Sequence, residues 1–158
     1  MQVNVRKSLN SKGRCCEIKI DELEDYFVKP FSDVQSRQKR LELCNDFREW
    51  LKLVSRYEVI SEIWINGLFA THEMMPKYVE VACVAYSNRK LLSNESQKEF
   101  NHLIKEKNWY IIRKYHCSVE VGLMFGDYIE KYGKYWFGDF KYDDSGGKPN
   151  GIFKITLL

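Results

Sequence analysis

The stretch "IWINGLFATHEMMPKYVEVACVAY", residues 63 to 86, decides the fold. It holds two apolar runs of strand length, rich in β-branched and aromatic residues, separated by Gly67 and a polar crossing. Side chains alternate along a strand. Tyr78, Glu80, Ala82 and Val84 therefore share one face of the second run, and Val79, Val81, Cys83 and Ala85 share the other. A strand, turn, strand unit can serve phosphate chemistry. A Gly-Ser pair closing the first strand would offer close backbone approach and a hydroxyl to phosphates. Two aspartates at i and i+2 on the second would offer hard oxygen ligands to Mg²⁺.

Helices are predicted on both sides of this unit. Ser32 or Asp33 can cap a long helix running to about Tyr57, with Leu41, Cys44, Phe47, Leu51 and Val54 at the three- and four-residue steps of one apolar face. Its polar face carries Arg37, Lys39, Arg40, Glu42, Asp46, Arg48, Glu49 and Lys52, a mixture of signs that suits solvent better than a nucleic-acid groove. A second helix is expected in "SNESQKEFNHLIKEKN", capped by Ser93 or Asn94. "WYIIRKYHCSVEVGLMF" contains at least one further buried strand, and "CEIKI" reads as a short extended segment. Pro30 should end any helix in "DELEDYFVKPF". "YDDSGGKPNGIFKITLL" is a turn followed by a closing strand, with Ile152, Lys154 and Thr156 alternating against Phe153, Ile155 and Leu157. Strands and helices interleave without repeats. The expected class is α/β (α+β), a mixed sheet with helices packed on it.

Composition narrows the function classes. The 158 residues suit one domain with a proper core, and the formal charge of +3 is far from the imbalance expected when phosphate contacts dominate binding. Charge thus indicates no nucleic-acid partner. No run of 18 apolar residues and no leader-like apolar segment occurs, which points to a cytoplasmic protein with no membrane partner. The basic start, with Arg6, Lys7, Lys12 and Arg14, reads as a solvated arm. Residues 1 to 21 are set apart as arm and extended segment, and 22 to 158 as a single domain. Five cysteines without a CxxC, and three scattered histidines, supply neither a disulfide framework nor a structural metal set. Tyr128, Tyr132, Tyr135, Trp136 and Phe140 fall on one helical face. Tyr135, Trp136, Phe137 and Tyr142 are the candidates for a partner-binding patch, with edge-of-core packing as the plainer role.

The layout resembles the nucleotidyltransferase fold. More narrowly, the chain is similar to a small family of uncharacterised single-domain nucleotidyltransferase-like bacterial proteins with a strand W-I-D-G-S-F-V-T, then N-D-I-D-V, and a closing F-G-x-x-x-D-G-x-P-K-G-I. The matching stretches are "WINGLFAT" at 64 to 71, "KYVEV" at 77 to 81 and "WFGDFKYDDSGGKPNGIFKITL" at 136 to 157, and the likeness covers about residues 22 to 158. The resemblance implies a metal-dependent transferase site with a serine at Leu68, aspartates at Tyr78 and Glu80, and a third aspartate at Ser118. Gly67 and Thr71, the phosphate-binding candidates, and a carboxylate at Glu80 survive. Leucine has no hydroxyl, and a phenol with an ordinary pKa of about 10 is neutral at pH 7. Glu120 shares a strand face with Ser118, so Glu80 and Glu120 are weak candidates for a substitute metal pair; otherwise Glu120 pairs with a Lys or Arg such as Arg113.

Three functions are therefore expected of this sequence. The first is a catalytically degenerate, pseudoenzyme form of the fold that acts by binding a macromolecular partner, foremost a protein, or a nucleotide, and needs no cofactor. The second is an active, Mg²⁺-dependent nucleotidyltransferase that modifies protein or RNA through Glu80 and Glu120. The third, resting on analogy, is a component of a phage, mobile-element, toxin-antitoxin or defence locus.

Overall fold

The computed structural model describes residues 15–85, 92–125 and 152–157. Five strands form one sheet: β1 (Cys15–Ile18), β2 (Glu62–Asn66), β3 (Val79–Ala85), β4 (Cys117–Phe125) and β5 (Ile152–Thr156). Their spatial order is β1-β5-β2-β3-β4. β5 runs parallel to β1 and antiparallel to β2, β2 is antiparallel to β3, and β3 is parallel to β4. The sheet is mixed and the class is α/β, as the alternation of elements predicts. β1 belongs to this sheet, although the sequence sets it apart with the basic arm. The arm itself, residues 1–14, lies outside the described residues, and so do Tyr128, Tyr132, Tyr135, Trp136, Phe137, Phe140 and Tyr142.

Among the described residues four α-helices accompany the strands: α1 (Leu23–Phe27), α2 (Val34–Ser55), α3 (Asn94–Ile104) and α4 (Trp109–Tyr115). Their starts are locally encoded. Asp33 accepts a hydrogen bond from the Ser36 amide, Ser93 from Ser96 and Asn108 from Tyr110, each satisfying a backbone donor that a helix start leaves free. α1 ends at Phe27, three residues before Pro30. The stretch from Trp109 to Phe125 holds the further strand expected there, β4 from Cys117, and before it the Asn108 cap and the left-handed His116 at φ 49° bracket a short helix.

All helical core residues meet one face of the sheet. Leu43, Phe47, Trp50 and Val54 of α2, Phe100 and Leu103 of α3 and Ile111 of α4 pack on Ile63, Ile65, Val79, Val81, Cys83, Val119, Phe153 and Ile155. Cys83 and Cys117 lie in this core with thiol pKa values raised by burial, so they act as small apolar groups. Trp64, Ala82, Val84, Met124 and Ile152 form a second buried cluster from the opposite strand face. The buried stripe of α2 is Ser36, Arg40, Leu43, Cys44, Phe47, Trp50, Leu51 and Val54. Leu41, expected in the core, is exposed, and Arg40, expected in solvent, is fully buried. The contact stripe follows 36, 40, 43 and 47, where Arg40 has polar partners waiting for it.

The candidate site at the Gly67 turn

The site is built where β2 ends. Gly67 has φ +74° and ψ −164°, a conformation that L side chains rarely adopt. A single 3₁₀ turn, Leu68–Ala70, follows it. The turn is held from beneath by Arg40. Its guanidinium donates to the carbonyl oxygens of Phe27 (3.2 Å), Phe69 (2.8 Å), Thr71 (2.7 Å) and Glu73. It also lies 3.9 Å from the Phe31 ring centroid. Burial brings its pKa down to about 10, which leaves it charged at neutral pH. Thr71 is committed to the same turn: its hydroxyl donates to the Leu68 carbonyl at 2.7 Å and accepts from the Glu73 amide at 3.2 Å.

Above the turn stands Glu80. Asn66 and Glu80 are direct partners across β2 and β3, so their side chains share a face. A Cβ at position 67 would stand 1.7 Å from Glu80 Oε2. The carboxyl group therefore occupies the space that the missing glycine side chain leaves. Leu68, beside it, is exposed and offers no hydroxyl. Asn66 is buried, and its Nδ2 makes no hydrogen bond among the described residues.

β4 supplies the far wall. Ser118 is the parallel partner of Glu80, and its hydroxyl donates to Glu120 Oε1 at 2.9 Å. Glu120 Oε2 lies 3.9 Å from Lys107 Nζ, so its cationic neighbour is Lys107 and not Arg113. Burial first, and then the charge of Glu120, push the Glu80 carboxyl up to about 7, with Lys107 opposing. Burial, then Glu80 and Glu120, also raise the Tyr78 phenol above its ordinary value. The structure thus brings Gly67, Tyr78, Glu80, Ser118 and Glu120 into one neighbourhood.

These residues fit a divalent cation poorly. Hard cations take several oxygen ligands, ionised carboxylates among them, but here only Glu80 and Glu120 offer carboxylates, Tyr78 offers a phenol, and Glu120 is engaged by a hydroxyl and near an ammonium. No three His, Cys, Asp or Glu side chains among the described residues converge as a metal-holding group.

Three site residues escape the sequence reading. Arg40 could be found by sliding the α2 stripe one residue, and Asn66 by extending the alternation from Trp64. Lys107 has no local signal, because it enters from the turn between α3 and α4.

Fold and site together define a mixed α/β protein with a glycine turn sealed by a glutamate. The chain belongs to the Family of unknown function (DUF6932), which matches residues 4–156. No curated protein and no solved structure matches it. Among the described residues, no helix is long and apolar enough to cross a membrane.

Proposed function

We propose that this protein is a nucleotidyltransferase-like protein without transferase activity, acting by binding a macromolecular partner. The observation that carries this reading is the Glu80 carboxyl seated over Gly67. In the resemblance, that turn receives phosphates and the neighbouring strand holds metal. Here a carboxyl group fills the first place and would repel phosphate whenever ionised, while Tyr78 and Ser118 stand where anionic ligands are implied. Losing one preorganised electrostatic contact costs a transferase about 3 to 4 kcal/mol of transition-state stabilisation, and several such contacts are missing.

The active alternative draws on the proximity of Glu80 and Glu120. The two readings separate in thermal unfolding with each nucleoside triphosphate, with and without Mg²⁺ or Mn²⁺. A ligand at a hundred times its dissociation constant adds about 2.7 kcal/mol, which raises the midpoint of a domain this size by roughly 5 to 11 °C. We expect no metal-dependent shift and no transfer of label from an α-labelled triphosphate. A shift that disappears in Glu80→Ala, accompanied by transfer, would establish the enzyme.

A further inference from the structure

A second surface lies on α3, α4 and the turn between them. Trp109 is 71% exposed and Tyr110 55% exposed, unusual for aromatic side chains on a helix whose other face is in the core. The Tyr110 ring lies 5.3 Å from that of His102, and Lys114 Nζ lies 5.6 Å from the Tyr110 ring centroid. From His102 the surface continues into a groove of about 530 Å³ between α3 and β4, lined by Lys98, Asn101, Lys105, Gly122 and Leu123.

The charge of this surface leans positive. Residues 94–115, from the start of α3 to the end of α4, carry five Lys and Arg (Lys98, Lys105, Lys107, Arg113, Lys114) against three Glu (Glu95, Glu99, Glu106). Glu99 accepts from the Tyr57 hydroxyl at 3.0 Å, and Glu106 from the Gly122 amide at 3.1 Å. Lys98, Lys105, Arg113 and Lys114 are exposed. Trp109 and Arg113, and Tyr110 and Lys114, are each four residues apart, so aromatic and cation alternate in two adjacent rows along α4.

We infer that this surface binds single-stranded nucleic acid, with Trp109 and Tyr110 stacking on bases while Lys105, Arg113 and Lys114 neutralise phosphates. Exposed rings interleaved with cations are what an unpaired strand presents its two chemistries to: every base has a π-face, and every linkage has a negative charge. A duplex hides its base faces, and an acidic peptide would need the cations alone. None of Gly67, Asn66, Glu80 or Glu120 takes part, so the inference stands whatever the Gly67 turn does.

The test is fluorescence anisotropy of labelled oligo-dT and oligo-U, each about 12 nucleotides, with the full chain at about 50 mM salt and no triphosphate or metal. We expect saturable binding that weakens as salt rises. Trp109→Ala with Tyr110→Ala should weaken it at least about fivefold, Trp109→Phe should largely restore it to a Tyr110-containing chain, and Lys105→Glu with Lys114→Glu should weaken it and flatten its salt dependence. These side chains are exposed, so unchanged thermal midpoints should show that the variants fold. No binding, or binding indifferent to the aromatic pair, would overturn the inference. So would polyglutamate competing as well as the oligonucleotides, which would make the surface a docking site for an acidic protein.

Discussion

Glu80 Oε2 lies 1.7 Å from the point where a Cβ on residue 67 would be, so Gly67 and Glu80 are matched halves of one packing arrangement. The glycine makes room for the carboxyl group, and the carboxyl group closes the turn that the glycine opens. Consequences for stability follow from this pairing and from the residues that support it.

Gly67→Ala should destabilise the fold by about 2 to 4 kcal/mol, because alanine must adopt the strained φ and also displace Glu80. Adding Glu80→Ala removes the overlap and leaves the backbone strain of about 1 to 3 kcal/mol. Urea unfolding of the two single variants and the double variant measures the difference as a coupling, and simple additivity would show that the two side chains do not meet.

Stability should fall as pH rises through neutrality. The Glu80 pKa is raised in the folded state, from 4.5 to about 7. The native state therefore holds a proton that the unfolded chain releases. This contribution is fully present below about 4.5 and is lost as pH climbs through about 7. Urea midpoints from pH 5 to 8 should decline in the wild type and less in Glu80→Gln, which cannot ionise. Parallel profiles would place the titration elsewhere.

Arg40 should be among the costliest polar side chains to remove. Its guanidinium satisfies carbonyls from α1 and from the segment after Gly67, and Arg40→Ala leaves them buried without a donor, at about 3 to 5 kcal/mol in all. Arg40→Lys keeps the charge but loses the planar fork that reaches several acceptors, and should recover less than half of that loss. Amide exchange should accelerate first at residues 68–73. Uniform acceleration across α2 would instead point to general loss of core packing.

Asn66→Asp should be tolerated in acid and harmful in base. It sets a carboxyl directly opposite Glu80, where like charges repel. The penalty relative to wild type should reach at least about 1 kcal/mol at pH 8 and shrink toward pH 5, as one of the two carboxyls takes up a proton. A penalty independent of pH would mean that the pair does not interact.

Local signals in this sequence are strong, and they made most of the architecture legible. Asp33 and Ser93 mark helix starts because their side chains answer orphan amides a turn away. Alternation in β3 places Glu80 on one face and Val79 and Val81 on the other for the same local reason. Arg40 defeats the reading because charge predicts solvent only where no partner awaits, and its partners come from segments up to 33 residues away in sequence. The seal over Gly67 is likewise not local. It depends on the β2–β3 register that sets Asn66 opposite Glu80, and alternation names a face without naming the residue across from it. Lys107 reaches Glu120 only because the chain turns between α3 and α4.

β5 is the last in sequence of the five described strands, yet it sits between β1 and β2. As the polypeptide leaves the ribosome, β2, β3 and β4 can pair with one another and gather their helices, while β1 meets its neighbour among the described strands only when residues 152–156 emerge. A nascent chain stopped short of that point would carry an open edge on β2 and a loose β1 segment whose Cys16 and Ile18 belong in the core. Closure of the sheet therefore waits on residues 152–156, which join its earliest strand to the rest.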